Sequence, residues 1–133
     1  MFVTTISFTL IMSLFVIFSE PVQGLSWSSD IRLTDDDSWD ASPSITQATD
    51  GKVWVVWTSA RTGNNEIFYK TYDGSAWSAE TQLTNDPEKD VSPSITTAAD
   101  GKIWVVWNTY RSSLDYDIYY KVFDGVSWSS DTQ

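Results

Sequence analysis

The chain has 133 residues, no Cys, no His, and a net charge of −10 from 18 acidic and 8 basic side chains. That length holds at most one small domain, and the missing residue types exclude disulfide staples, thiol nucleophiles, thiolate metal sites and histidine general bases. Catalysis would have to rest on carboxylates, Tyr, Lys or Arg, and the acidity argues against nucleic acid or anionic membranes as partners.

In chain order, the first segment is an uncharged apolar run from Phe2 to Phe18, followed by Glu20, Pro21 and Val22-Gln23-Gly24. Residues 1–24 read as a signal peptide cleaved near Gly24. An N-terminal anchor is the competing reading, although the 17-residue run would make a helix only about 25 Å long. Either reading exports the remainder: secreted, extracellular at the cell surface, or periplasmic.

The remainder repeats. LTDDDSWDASPSITQATDGKVWVVWTSAR, from Leu33, recurs as LTNDPEKDVSPSITTAADGKIWVVWNTYR, from Leu83, at an offset of 50. NEIFYKTYDGSAWSAETQ then recurs as YDIYYKVFDGVSWSSDTQ at an offset of 51, which places a one-residue insertion after Arg111. Such insertions fall in loops. A partial third copy, Leu25 to Asp30, matches the segments around Trp77 and Trp128.

Each unit contains four strand-like runs. Ser-Pro-Ser-Ile-Thr at 42–46 and 92–96 begins the first, with Pro at a strand start. Asp50-Gly51 and Asp100-Gly101 supply a two-residue turn into the second run, at 53–57 and 103–107. That run is apolar on both faces and requires cover on both sides. The third runs from Ile67 to Tyr72 and from Ile118 to Phe123, ending in Asp73-Gly74 and Asp124-Gly125. The fourth, Trp77 to Leu83, is more polar and suits an edge.

Four antiparallel strands every 50 residues form the pattern of a β-propeller blade. The expected fold is all-β, about two blades of an incomplete or truncated propeller. Residues 25–36 are the outer strand of an incomplete blade, 37–84 the first blade and 85–133 a second blade cut off in its fourth strand. Of the 8 Trp, all but Trp39 repeat, which marks them as core between blades. Closed propellers need about four to eight blades, so further blades or self-association are expected to complete the ring.

The residues Leu83-Thr84-Asn85-Asp86, Ser92-Pro93-Ser94, Asp100-Gly101-Lys102, Arg111 and Asp117-Ile118-Tyr119 resemble the propeller repeat of the translocation protein TolB. The Asp-Gly-x-x-Trp-Ser segments at 73–78 and 124–129 resemble the Asp-boxes of bacterial neuraminidase (BNR) repeats, one residue shorter than the standard box. This resemblance implies a structural role for Asp73, Gly74, Trp77, Asp124, Gly125 and Trp128: stabilising the turn and packing the blade. A sialidase site of that family also needs an arginine triad, a Tyr-Glu nucleophile pair and an Asp acid/base. Only Arg32, Arg61 and Arg111 are candidates for the triad, and no Tyr-Glu pair stands out.

No residue is assigned a catalytic role, and no metal ligand set or cofactor is expected. Ca²⁺ is considered for Asp35-Asp36-Asp37 and for Asp86 with Glu88, but the spacing fits no calcium loop. The candidate ligand-binding rim comprises Asp40, Arg61, Asp90 and Arg111, which repeat and are expected first of all to form charge-assisted Asp–Arg bonds between the rim loops, and Trp39, Tyr110 and Tyr116, which do not repeat. Non-repeating loop aromatics are the better contact candidates. The expected function is a secreted or surface binding module for a glycan or protein ligand, without a catalytic centre of its own; the alternative is a fragment of a sialidase-like glycoside hydrolase.

Overall fold

The computed structural model describes residues 26–112 and 115–133, with side chains throughout except at 111 and 112. The segment read as a signal peptide or anchor lies outside the described residues. The chain divides into two units, Met1–Ile31 and Arg32–Gln133. In the first, residues 26–31 are exposed and form neither strand nor helix.

The second unit is built from strands alone among the described residues. β1 (Asp40–Gln47), β2 (Val53–Ser59), β3 (Glu66–Tyr72) and β4 (Thr81–Gln82) form an antiparallel sheet in that order. β5 (Asp90–Thr97), β6 (Ile103–Ser112) and β7 (Asp115–Phe123) form a second, also in chain order. The sequence repeat is therefore a structural repeat.

The ladders also repeat. Ile45 pairs with Val55 and Val56 with Tyr69 in the first sheet; Ile95 pairs with Val105 and Val106 with Tyr120 in the second. Pro43 does not open β1 as expected. Ser42 and Pro43 sit in a bulge between the Ala41 and Ser44 pairs, and the same irregularity separates Val91 from Ser94. A bulge accommodates Pro because no ladder hydrogen bond is required of it. Ser42 and Ser92 turn the chain there with φ of 52° and 56°.

The fourth strands are shorter than the sequence suggests. Only Thr81–Gln82 pairs with β3, at Phe68 and Tyr69, and Trp77 makes an isolated bridge to Tyr72. In the second sheet the corresponding contacts are two isolated bridges, Tyr120–Thr132 and Phe123–Trp128, so that sheet has three strands. Of residues 25–36, expected as an outer strand, the described ones make no ladder; the Leu33 carbonyl and the Asp35 amide bond instead to the side chains of Lys70 and Glu80, at 3.0 Å each.

The two sheets meet through one apolar seam. Trp54, Val56 and Ile67 from the first sheet pack with Ile95, Ile103, Val105 and Trp107 from the second, and Leu83 of the connection joins them. Trp128 extends the seam, with ring centroids 5.9 Å from Trp54 and 5.7 Å from Tyr69. Hydrogen bonds cross it: Ser92 N donates to Thr58 Oγ1 at 3.1 Å and Thr97 Oγ1 to the Gln47 carbonyl at 2.8 Å.

Of the apolar strands only β2 is buried on both faces, although no second sheet among the described residues covers its outer one. Its other face, Val55 and Trp57, packs with Phe68 and Leu33. On β6, Ile103, Val105 and Trp107 are buried, whereas Trp104 and Val106 point to an uncovered face. The expectation that every repeating Trp is core fails for the same reason: Trp54, Trp57 and Trp107 are buried, but Trp27, Trp77 and Trp104 are exposed. A repeated residue is core only where a neighbouring sheet covers it.

Candidate functional site

Three loop segments meet at one end of the sheets: residues 60–65 between β2 and β3, residues 83–89 between β4 and β5, and the ends of β6 and β7. Asn64 fastens the first to the second, its Nδ2 donating to the Glu88 carbonyl at 2.6 Å and the Asp86 carbonyl at 3.3 Å. Asp90 N donates to the Asn65 carbonyl, and Tyr110 N to the Lys89 carbonyl, at 2.8 and 3.2 Å. The β6–β7 ladder, which pairs Thr109 with Asp117 and Ser112 with Asp115, sets Tyr110 and Tyr116 side by side.

The two tyrosine rings stand edge to face, centroids 5.0 Å apart and planes at 73°. Both are exposed and border a cleft of about 590 Å³ whose other walls include Asn64, Asn65, Glu88 and Lys89. At the repeat positions of Tyr110 and Tyr116 the first unit has Ala60 and Asn65; Lys89 replaces Trp39. The cleft is thus built from the residues that break the repeat. Trp39 is exposed but does not line it.

The repeating rim candidates behave differently. Arg61 is largely buried and forms ion pairs with Asp36 (2.6 Å), Asp40 (3.4 Å) and Glu80. Its Nε donates to Ser59 Oγ at 2.8 Å, and its guanidinium lies 4.4 Å from the Phe68 ring centroid. A guanidinium with its donors so committed has few left for a ligand. Burial alone would raise the Asp40 carboxyl, but hydrogen bonds from Ser59 and Thr34 and the Arg61 charge outweigh it and hold the group below its usual range. Asp90 is fully buried. The Arg111 side chain lies outside the described residues.

The Asp-box-like turns have the geometry of a structural device. Asp73 Oδ1 accepts from Ser75 N, Ala76 N and Ser75 Oγ at 2.8–2.9 Å. Asp124 Oδ1 accepts from Val126 N and Ser127 N at 2.9 and 2.8 Å. Gly74 and Gly125 adopt φ of 100° and 101°, which favours glycine. Backbone donors from Ala76 and Ser75 hold the Asp73 carboxyl down to about 2. Trp77 packs on Tyr72, 5.3 Å between centroids.

One carboxylate that the sequence did not single out, Glu66, is buried at the seam together with the rim candidate Asp90. Thr84 Oγ1 donates to Glu66 Oε2 at 2.6 Å, yet burial, with Asp90 and Asp86 close by, pushes Glu66 up to about 7. The signal was an acid at the same place in both repeats, Glu66 and Asp117. Among the described residues no group of three or more acidic side chains is placed to hold a metal ion.

The fold and site together define an all-β repeat protein of two antiparallel sheets with a rim cleft. No family model matches the chain, and no curated protein does. Solved structures do. One is a protein of unknown function from Dyadobacter fermentans, at 11% identity and a TM-score of 0.59, over 74% of this chain and 37% of that one. Another is a family 117 glycoside hydrolase from the marine bacterium Zobellia galactanivorans, at 18% identity and a TM-score of 0.54, over 77% of this chain and 41% of that one. The chain spans about two fifths of the length of these structures, and the likeness is one of fold.

Proposed function

We propose that the two sheets are blades of a β-propeller and that the chain is an exported binding module whose rim cleft at Tyr110 and Tyr116 holds a neutral oligosaccharide. The pair of exposed, edge-to-face tyrosines carries this reading. Tyr offers an apolar face to the C–H surface of a sugar ring and a hydroxyl to its polar edge. Asn65 and Lys89 add polar groups beside the rings, the usual composition of a specific site. A chain of net charge −10 repels polyanionic sugars, which favours a neutral ligand. The fold-level likeness to a glycoside hydrolase agrees with a glycan ligand. The uncharged run from Phe2 to Phe18 supports export to the outside of the cell or to the periplasm.

That likeness also favours a second reading, a fragment of a glycoside hydrolase. Glu66, with a pKa of about 7 beside Asp90, has the properties of a general acid. Both side chains are closed off from solvent, however, which leaves no path to a substrate. Binding without turnover is the better account.

The test is an immobilised panel of neutral and sialylated glycans probed with the chain and with Tyr110→Ala and Tyr116→Ala. Retention on neutral glycans, lost in both variants, is expected. Retention indifferent to both substitutions would refute the site, and release of free sugar from the panel would favour the hydrolase.

A further inference from the structure

The seam between the sheets joins two unlike faces, and each has a duplicate on the outside. Trp54, Val56 and Ile67 form one side. Their counterparts at offsets of 50 or 51, Trp104, Val106 and Ile118, are 36%, 38% and 57% exposed, against 7%, 0% and 0% in the seam. These three share one face of the second sheet, since Val106 pairs with Tyr120 and Asn108 with Ile118 in the β6–β7 ladder.

The other side of the seam includes Ile95, Val105, Trp107 and Leu83. Its counterparts lie on the outward face of the first sheet, where Leu33, Thr34, Pro43, Val55 and Trp57 line a groove of about 260 Å³. Val55 and Trp57 are already buried like their equivalents Val105 and Trp107, but Leu33 and Thr34 are half-buried and Pro43 is exposed, whereas Leu83, Thr84 and Pro93 are buried. Ile45 is 66% exposed, whereas Ile95 at the same repeat position is 7% exposed. The polar pairing is duplicated too: Ile95 N donates to Ser44 Oγ at 3.3 Å, and Ile45 and Ser94 are its outward counterparts.

We propose that a second copy of this chain seats its Trp104–Val106–Ile118 face against the Leu33–Val55–Trp57 groove of the first, repeating the internal seam between molecules. The occupant follows from the seam itself, which shows the very face that fits this groove; the chain carries a duplicate of each. Because the faces differ, the contact is head to tail, and copies add until the rotation closes a ring. The two sheets of the described residues would add two blades per copy to a ring that closes at about four to eight. The net charge of −10 on each copy opposes association, so added salt strengthens it. The inference stands on the seam and is independent of glycan binding.

Sedimentation velocity on the chain recovered from its producing cells, from about 1 to 100 µM at low and moderate salt, tests it. Mass is expected to rise with concentration and with salt. Ile118→Lys and Ile45→Lys alter residues exposed in the single copy, so each is expected to keep the parent circular dichroism and to sediment as a monomer. An equimolar mixture of the two retains one intact face on each partner and is expected to give a dimer and nothing larger. A folded parent chain that stays monomeric at 100 µM overturns the proposal. So does association that survives both substitutions, as attraction between the apolar runs at residues 2–18 would produce.

Discussion

The hydroxyl of Thr84 donates to Glu66 Oε2 at 2.6 Å while its oxygen accepts the Ile67 amide at 2.9 Å. One side chain in the connection between the sheets therefore ties the start of β3 into the seam. The carboxyl it holds is buried, and burial together with Asp90 and Asp86 raises it to about 7.

A raised carboxyl makes stability fall with rising pH. The native state holds the Glu66 proton more tightly than the unfolded chain, whose carboxyl titrates near 4.5. Its contribution is full below that pH and is lost as pH rises through about 7, on the order of 3 kcal/mol at most. Asp40 acts in the opposite sense, losing its contribution as pH falls below the ordinary carboxylate value of 3.8. Thermal melting from pH 3 to pH 9 is expected to show maximal stability near pH 4–5. In Glu66→Gln the decline between pH 5 and pH 8 is expected to flatten; an unchanged profile would show that Glu66 is not its source.

Arg61 balances Asp36, Asp40 and Glu80 and covers Phe68. Arg61→Met leaves these carboxylates without their cation and is expected to cost roughly 3 kcal/mol in urea unfolding, as the loss of one member of a largely buried pair does. Arg61→Lys is expected to recover only part of that, because an ammonium cannot serve three carboxylates and an aromatic face together.

Ile67 and Ile118 are the same residue at the same repeat position, one fully buried and one mostly exposed. Ile67→Ala is expected to destabilise by about 2–5 kcal/mol, and Ile118→Ala by less than about 1 kcal/mol when the chain is dilute enough to be a single copy. Equal losses would contradict the seam as described.

Gly74 holds a φ of 100° with open space around it. Gly74→Ala therefore adds backbone strain without a clash and is expected to cost about 1–2 kcal/mol. Asp73→Ala is expected to destabilise the same turn by removing the acceptor for Ser75 and Ala76. Both effects are read as a lowered melting temperature.

The strand order and the turns were legible in the sequence because the repeat, the Asp-Gly dipeptides and the apolar runs at 53–57 and 103–107 all point the same way. The burial of individual repeats was not. Trp54 and Trp104 are indistinguishable by pattern, and only the position of the neighbouring sheet separates them. At the site, Tyr110 and Tyr116 could be singled out as breaks in the repeat, but their edge-to-face contact depends on the register of the β6–β7 ladder, and the cleft beside them on loop hydrogen bonds through Asn64, Asn65 and Lys89 that no spacing encodes. A bond between Asp40 and Arg61 across the rim loops was legible in the repeat, but the further partners Asp36 and Glu80, 25 and 19 residues away in the chain, were not. Glu66 was overlooked because its burial arises only when Thr84 and Asp90 close over it.

The most direct test of the binding account is amide chemical-shift mapping with a neutral oligosaccharide retained on the glycan panel. Saturable shifts confined to Asn64, Asn65, Lys89, Tyr110, Tyr116 and their immediate neighbours are expected. Shifts centred on the Asp73–Trp77 and Asp124–Trp128 turns, or none at saturating sugar, would contradict it.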